Sequence, residues 1–452
     1  MKIGITIMAI VLSFSAAKAQ EKWSLNKCIE YAKENNISIK MRQLDVATQS
    51  NNTKQSKLDL LPSLNGNAGY HFSYGRSLSA NNTYEQRNTQ GGNIGVSANV
   101  SLFEGFQKRN SIKQNTLNLK ASLQDVEKAK EDLAVNITSR YLDILFKKEI
   151  LQVAKEKLKV TQQQINRTKQ LIEAGTMPKG ALMEQQAQLS REEVEVVNAQ
   201  NSLDLGLLDL AQLLDLKTTK DFDIATPQLP VINANKSMIN PESIFANAIN
   251  FRPEMKAADF RLKSAEKGLA IAKGSRLPSL SMSGSWGSSY SKDFPEMGIN
   301  AQGKPIMIRK EMGLADQLKN RESKGFGFSL RIPIFNGGRA NRTIANARIN
   351  VERSNLNIEN AKNILRKQIQ QAYANARAAM NKYFSSKEAI KASEEAFRYT
   401  QEKFELGLVN SVDYNQEKNN LFRAKSNLLQ AKYEYIFRAK ILDFYNGIAI
   451  KL

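Results

Sequence analysis

Two long stretches without glycine or proline constrain the fold of this chain more than any other feature. Residues 106–174 and 339–406 contain neither residue type, although the 452-residue chain has 24 Gly and 10 Pro. A continuous helix over the first stretch is about 100 Å long at 1.5 Å per residue. Because no single globular core can bury so long a helix, we predict that these helices pack side by side with others.

The chain also contains an internal repeat. The motif Leu-Pro-Ser-Leu at 61–64 recurs at 277–280. Gly175, which follows the first long helix, recurs as Gly407 after the second. Each half therefore has the order helix, two strands, long helix, turn and helix, which indicates two structural repeats.

The predicted organisation begins with a signal peptide at residues 1–19. Such a peptide begins with a charged residue, here Lys2, followed by a short apolar run. It ends in a small-residue cleavage site, here Ala-Lys-Ala at 17–19. The first repeat, 20–240, comprises a helix, strands at about 62–75 and 91–103, the long helix 106–174, a helix at 180–216 and a linker. The second repeat, 241–452, comprises a helix, strands at about 278–289 and 325–335, the long helix 339–406 and a helix at 411–445.

The four predicted strands alternate apolar and polar residues with a period of two. The second strand, for example, alternates from Ile94 to Leu102, with Asn, Gly and Ser between the apolar positions. Each run has about the length that a tilted strand needs to cross an outer membrane. A soluble sandwich also alternates, but four such runs in an exported chain favour a membrane barrel. The residues expected to face lipid are Tyr70, Phe72, Tyr74, Trp286, Phe326 and Phe328.

Four strands are too few for a closed barrel, since the smallest outer-membrane barrels have about 8 strands. An open sheet edge in lipid leaves backbone groups without hydrogen bonds, so the chain must oligomerise. Two copies would give eight strands and three would give 12, and this arithmetic does not choose between them. Pro333 in the fourth run cannot donate to a neighbouring strand, so we expect the strand to end or bulge there.

Several kinds of chemistry are excluded by composition. The chain has one Cys, Cys28, and one His, His71, which rules out an internal disulfide, a Cys-based metal site and His-pair motifs. We find no nucleophile motif or paired carboxylates. We therefore predict that the protein is not an enzyme and has no catalytic residues, no cofactor and no metal site. Cys28 is expected to be a small packed residue, and His71 to lie on the polar face of its strand.

The positive charge is concentrated on the two long helices. The formal net charge of the chain is +21. Residues 106–174 carry 14 basic and eight acidic side chains, and residues 338–404 carry 13 and six. Because exported proteins rarely meet nucleic acid, we expect no nucleic-acid partner. Whether the charge faces a lumen, where it could favour anionic cargo, is left open by the sequence.

The turns after the long helices carry matched capping signals. Gly175 and Gly407 occupy the usual position of a helix C-cap glycine. Asn410, with Asp413 three residues later, predicts an N-cap with an acid at the positive end of the next helix. Ordinary hairpin chemistry explains these residues. The functional interpretation is a tip that contacts a partner or narrows a pore.

Four groups of residues stand out along the chain: Leu-Asn-Lys-Cys-Ile at 25–29 with Ala32 and Asn35-Asn36, the two Leu-Pro-Ser-Leu motifs, Ile-Pro-Ile-Phe-Asn-Gly-Gly at 332–338, and Gly407-Leu408-Val409 with Val412-Asp413. These residues give the chain a resemblance to the TolC-like outer-membrane efflux proteins. The resemblance covers essentially the whole chain after the signal peptide, in order and in duplicate. It implies an α+β membrane protein: a homotrimer with a 12-stranded β-barrel, four strands per chain, continued by a long α-helical coiled-coil tunnel in the periplasm.

The resemblance also implies a function and partners. The chain would be the outer-membrane channel of a tripartite efflux or type I secretion system, a passive duct surrounded by outer-membrane lipid. A periplasmic adaptor (membrane fusion) protein and an inner-membrane pump of the RND or ABC type would open it at its periplasmic tip. The residues expected at the tip and in contact with the adaptor are Gly175, Thr176, Met177, Gly407, Leu408, Val409, Asn410 and Ser411.

One position departs from the family pattern. The best-known members narrow the tip with a carboxylate three residues after the Val-Asp pair, where this chain has Gln416. The candidate constriction residues are therefore Asp413 and Gln416, without a second ring of carboxylates. The long loop at about 287–325 joins two barrel strands and should lie outside the cell. The alternative function, a periplasmic coiled-coil scaffold or adaptor without a barrel, explains the helices but not the four strands.

Overall fold

The structure is a computed structural model that describes residues 22–78, 83–86, 88–220, 222–229, 232, 239–292, 294–310 and 312–452. The predicted signal peptide at 1–19 lies outside the described residues. The chain forms two compact units, and each takes segments from both predicted repeats. The helical unit comprises the described residues up to 44 with 124–256 and 360–452, and the sheet unit comprises 45–123 and 257–359.

The helices of the chain follow the predicted pattern of long hairpins. They are α1 (Leu25–Asn35), α2 (Ile37–Leu58), α3 (Gln107–Glu173), α4 (Lys179–Leu213), α5 (Pro241–Phe251), α6 (Pro253–Gly274), α7 (Leu314–Asn320), α8 (Arg339–Glu405) and α9 (Ser411–Tyr445). In the helical unit, α3 turns into α4 and α8 turns into α9. No helix in the described part of the chain combines the length and the apolar character needed to cross a membrane.

The core of the helical unit lies along one stripe of α3. Ile137, Tyr141 and Ile144 recur at helical spacing and are almost completely buried. The Tyr141 hydroxyl donates to the carbonyl oxygen of Ala225 at 2.7 Å, so its polar end is also paired. Cys28 of α1 is fully buried in the same cluster, which confirms that it is a small packed residue.

The sheet unit contains one antiparallel sheet of four strands. Its strands are β1 (Ser63–Ser73), β4 (Thr89–Glu104), β5 (Ser279–Ser291) and β8 (Ser323–Arg331), in the order β1-β4-β5-β8. Two short ribbons are formed by β2 (Arg76–Leu78) with β3 (Tyr84–Gln86), and by β6 (Phe294–Ile299) with β7 (Pro305–Lys310). Strands β1 and β8 are the edges of the sheet, and no further described strand pairs with either of them.

The strand register places the apolar positions of all four strands on one face. Val96 of β4 lies opposite Trp286 of β5, and Met282 of β5 lies opposite Phe328 of β8. Residues directly opposite each other in an antiparallel pair project to the same side of the sheet. His71 lies opposite Gly91, on the other face with the Asn and Ser side chains, as predicted.

The structure corrects the predicted alternation at two strand ends. In β4 a bulge between Ser101 and Phe103 shifts the register, so Phe103, rather than the predicted Leu102, pairs opposite Leu280. A bulge inserts one extra residue and therefore breaks the period of two. β8 ends at Arg331, so the strand that we predicted to run to about 335 stops before Pro333, near the position where we expected it to end or bulge.

The segment predicted as a long loop at about 287–325 is partly regular. It contains the β6–β7 ribbon and α7. The buried Gln317 side chain attaches α7 to the end of β5: its amide nitrogen donates to the carbonyl oxygen of Ser291 at 3.0 Å, and its oxygen accepts the Ser291 N–H at 2.9 Å. This segment is therefore ordered by a specific contact with the sheet.

Candidate functional site at the paired helix turns

The first turn joins α3 to α4 through a left-handed glycine. Gly175 has φ of +76°. The N–H groups of Gly175 and Thr176 donate to the carbonyl oxygens of Ile172 and Leu171, each at 2.9 Å. This pair of bonds is a Schellman motif, which satisfies carbonyl groups at the end of α3. The predicted C-cap at Gly175 is thereby confirmed.

The second turn repeats this geometry between α8 and α9. Gly407 has φ of +72°, and the N–H groups of Gly407 and Leu408 donate to Phe404 and Lys403 at 3.0 and 2.9 Å. The same local sequence signal therefore gives the same motif at the equivalent position of the repeat. We call residues 174–178 and 406–410 the tip.

Asn410 begins α9 as predicted. Its side-chain oxygen accepts the Asp413 N–H at 2.9 Å, which confirms the N-cap. The Asp413 side chain lies in the first turn of α9, where the helix dipole favours a negative charge. Gln416 is exposed and its amide donates to Asn420 at 3.3 Å. Both candidate constriction residues are thus on an accessible surface of the single chain.

The two hairpins contact each other next to the tip. The Ser411 hydroxyl of α9 donates to the Glu184 carboxylate of α4. Arg167 of α3 and Glu405 of α8 form a long ion pair of 4.0 Å with both side chains about half exposed. These polar contacts place both turns at one end of the helical unit.

Apolar side chains are exposed around the second turn. Leu406, Leu408 and Val412 are 74, 69 and 61% exposed. Met177 and Val409 are half-buried. Apolar side chains clustered at the end of otherwise polar helices are typical of a surface that contacts another protein.

The predicted lipid-facing residues lie on the apolar face of the sheet, with one exception. Tyr70, Phe72, Trp286, Phe326 and Phe328 belong to its strands, and all are exposed in the single chain. Tyr74 follows the last residue of β1 and is not part of that strand. In the described residues, no group of His, Cys, Asp and Glu side chains could hold a metal ion.

Comparison with known proteins decides the family. The model of the outer membrane efflux protein family matches residues 28–215 and 245–444. The chain belongs to the outer membrane efflux protein family. It is 20% identical to the outer membrane efflux protein BepC of Brucella suis over 95% of this chain and 86% of BepC. It is 22% identical to TolC of Vibrio cholerae over 92% of this chain and 89% of that protein.

Solved structures share the fold of this efflux protein. The crystal structure of VceC from Vibrio cholerae has a TM-score of 0.75 and 15% identity, and the match covers 94% of this chain and 97% of that one. The predicted family and the α+β fold are therefore confirmed, and the trimeric barrel is consistent with this family. The protein is an outer-membrane channel of a tripartite export system. The alternative of a periplasmic scaffold without a barrel is not supported.

One feature of the efflux protein was missed by sequence reasoning. Lys418 of α9 and Glu192 of α4 are both 0% exposed and form an ion pair of 2.9 Å. Burial disfavours the charged ammonium and lowers the pKa of Lys418, and the Glu192 carboxylate opposes this effect. The only sequence signal is that Lys418 lies seven residues after Ser411, which places both on one face of α9.

Proposed function

We propose that three copies of this chain close their sheets into one 12-stranded barrel in the outer membrane, with the helical hairpins continuing as a duct in the periplasm. The observation that carries the proposal is the open four-stranded sheet, which has one apolar face and two edges, β1 and β8, that pair with no further strand of the described residues. In lipid, each unpaired backbone group would cost several kcal/mol, and pairing β1 of one copy with β8 of the next removes both edges.

The duct is passive and opens at the tip. An adaptor protein docks on the tip and the adjoining first turn of α9, where Leu406, Leu408 and Val412 offer an apolar surface. An inner-membrane pump of the RND or ABC type supplies the cargo. The two turns at 175–179 and 407–413 are the adaptor contact and the moving part. Their few polar contacts between hairpins allow movement without any bond chemistry.

Selectivity for cargo resides mainly in the pump. Relatives of this chain have names that refer to different cargoes: CusC is a cation efflux protein, and a protein of Aggregatibacter actinomycetemcomitans is a toxin and drug export protein. Relatives that share one family thus have names that refer to different cargoes, which supports a duct that contributes little discrimination of its own.

Mass and conductance measurements test this proposal. In detergent the purified protein should have three times the mass of one chain, and in planar bilayers it should form a channel that is mostly closed. Glu184→Ala combined with Arg167→Ala removes the two polar contacts between hairpins next to the tip and should increase the open fraction. A stable monomer would overturn the barrel, and an unchanged open fraction would overturn the role of the tip.

A further inference from the structure

A row of buried and half-buried polar side chains runs between α3, α4 and α9 behind the tip. Its members recur every three or four residues on each helix, so they lie on one face of that helix. They are Thr161, Gln164 and Thr168 on α3, Gln185, Gln188 and Glu192 on α4, and Ser411, Asn415 and Lys418 on α9. We call this row the polar seam.

The end of the seam farthest from the tip is joined by several hydrogen bonds and an ion pair. Lys418 Nζ lies 2.9 Å from Glu192 Oε1 and donates to Thr161 Oγ1 at 2.6 Å. Thr161 Oγ1 donates to Glu192 Oε2 at 2.5 Å, and Gln188 Nε2 donates to Glu192 Oε1 at 2.7 Å. Lys418, Glu192 and Thr161 therefore join three helices at one level, and we call them the buried cluster.

The end of the seam near the tip is poorly paired. The unpartnered buried atoms in the described chain include Gln164 Nε2, Thr168 Oγ1, both amide atoms of Gln185 and Asn415 Oδ1. A buried polar atom without a hydrogen bond destabilises the packing around it. The interface between hairpins is therefore weaker near the tip than at the buried cluster.

Near the tip, the α8–α9 hairpin is stabilised by contacts between its own two helices. Phe404 of α8 and Tyr414 of α9 are almost fully buried, and their ring centroids lie 4.8 Å apart. Burial raises the pKa of Tyr414 to about 12, so its ring remains neutral. The weak contact lies between the hairpins and not within the α8–α9 hairpin.

Apolar packing resumes on the side of the buried cluster away from the tip, which we call the far side. Leu421, Phe422 and Ile436 of α9 are buried there. Separating α9 from its neighbours on the far side would expose this apolar surface to water. Separating it at the buried cluster would pull apart a charge pair in a medium of low dielectric, where the attraction is strong.

We propose that the buried cluster is the fulcrum of opening. The parts of the two hairpins between the buried cluster and the tip separate when the duct opens, and the far side stays packed. This inference rests on the proposed function, in which the tip is the part that opens. It assigns Lys418, Glu192 and Thr161 a positioning role, because they fix where the movement stops.

Two distances measured with spin labels test the fulcrum. Labels at Met183 and Val412 report on the tip side, and labels at Val197 and Asn427 report on the far side, since all four residues are exposed. The full chain is used with Cys28 replaced by Ser, and labelled chains are co-assembled with an excess of unlabelled chains. The tip is opened with the Glu184→Ala and Arg167→Ala pair.

If the buried cluster is the fulcrum, the tip-side distance between Met183 and Val412 lengthens by several ångströms. The far-side distance between Val197 and Asn427 does not change. If both distances lengthen, the fulcrum is wrong, although the tip still opens. If neither changes, the proposed opening of the tip fails, and the fulcrum fails with it. None of these substitutions or labels alters the buried cluster, so its folding is not at issue.

A matched pair of lysine variants tests the buried cluster itself. Lys418→Met leaves the Glu192 carboxylate buried without its cation, so in the opened protein the far-side distance should lengthen as well. Lys425→Met is the control, because Lys425 pairs with Glu156 of α3 at 3.1 Å on a more exposed surface. The control should leave the far-side distance unchanged. An unchanged distance in Lys418→Met, or an equal change in the control, would overturn the role of the cluster.

Discussion

Gly407→Val should loosen the second turn and leave the barrel assembled. A Cβ atom at Gly407 would meet no other atom of the chain within 4 Å, so the added β-carbon itself causes no steric clash. Its effect comes from the backbone, because φ is +72° at this position. A left-handed conformation costs an L-residue about 1–2 kcal/mol. Because 1–2 kcal/mol corresponds to a factor of about 5 to 30, local opening of the turn should increase by that factor.

Amide hydrogen exchange measures this opening directly. The N–H groups of Gly407 and Leu408 are protected by the bonds to Phe404 and Lys403, so their exchange should become about 5 to 30 times faster in the Val variant. Export in cells that carry the cognate adaptor and pump should fall, while the barrel remains assembled.

Two further variants separate backbone strain from other causes. Gly407→Asn should keep nearly normal exchange and export, because Asn adopts the left-handed conformation more readily than other residues. Gly303→Val imposes the same strain at φ of +71° between β6 and β7, where an added Cβ atom also meets nothing within 4 Å. It should leave the tip and export unaffected. Normal exchange in Gly407→Val, or an equal loss of protection in the Asn variant, would refute the reasoning.

Two other predictions concern the sheet and the helical core. A cysteine at Phe72 should react with lipid-soluble reagents and one at Asn67 with water-soluble reagents, because the register places them on opposite faces; the reverse pattern would mean that the faces are inverted. Arg252→Ala breaks an ion pair of 2.9 Å with Glu131 and should lower the free energy of unfolding by about 3 kcal/mol. This value is at the low end for a broken buried ion pair, because the Glu131 side chain is about one-third exposed. Denaturant unfolding checks this, and the exposed Arg398→Ala should not shift the midpoint; equal effects would contradict the role of burial.

Local chemistry explains which features could be predicted from sequence. The helix caps at Gly175, Gly407 and Asn410 are predicted correctly, because a C-cap glycine and an N-cap Asn act within one helical turn. The long helices are predictable because no Gly or Pro interrupts them. The apolar face of the sheet follows from a period of two, which needs no knowledge of the partner strand.

The features that were missed depend on contacts between distant segments. The bulge at Ser101 becomes visible only when β4 is aligned with β5. Lys418 looks like a solvated lysine in the sequence, since its burial depends on Glu192 and Thr161 from two other helices. A charge pair of this kind has no local signature, because its partners are 226 and 257 residues away.

Cross-linking between the sheet edges tests the central claim most directly. One cysteine is placed on β1, at a position within 63–73, and one on β8, within 323–331, and pairs are scanned in the Cys28→Ser background. If each sheet closes against its neighbour, oxidation should join β1 of one chain to β8 of the next, and the products on a denaturing gel should end at three chains. Products of one chain only, or a ladder that continues beyond three, would contradict the trimeric barrel.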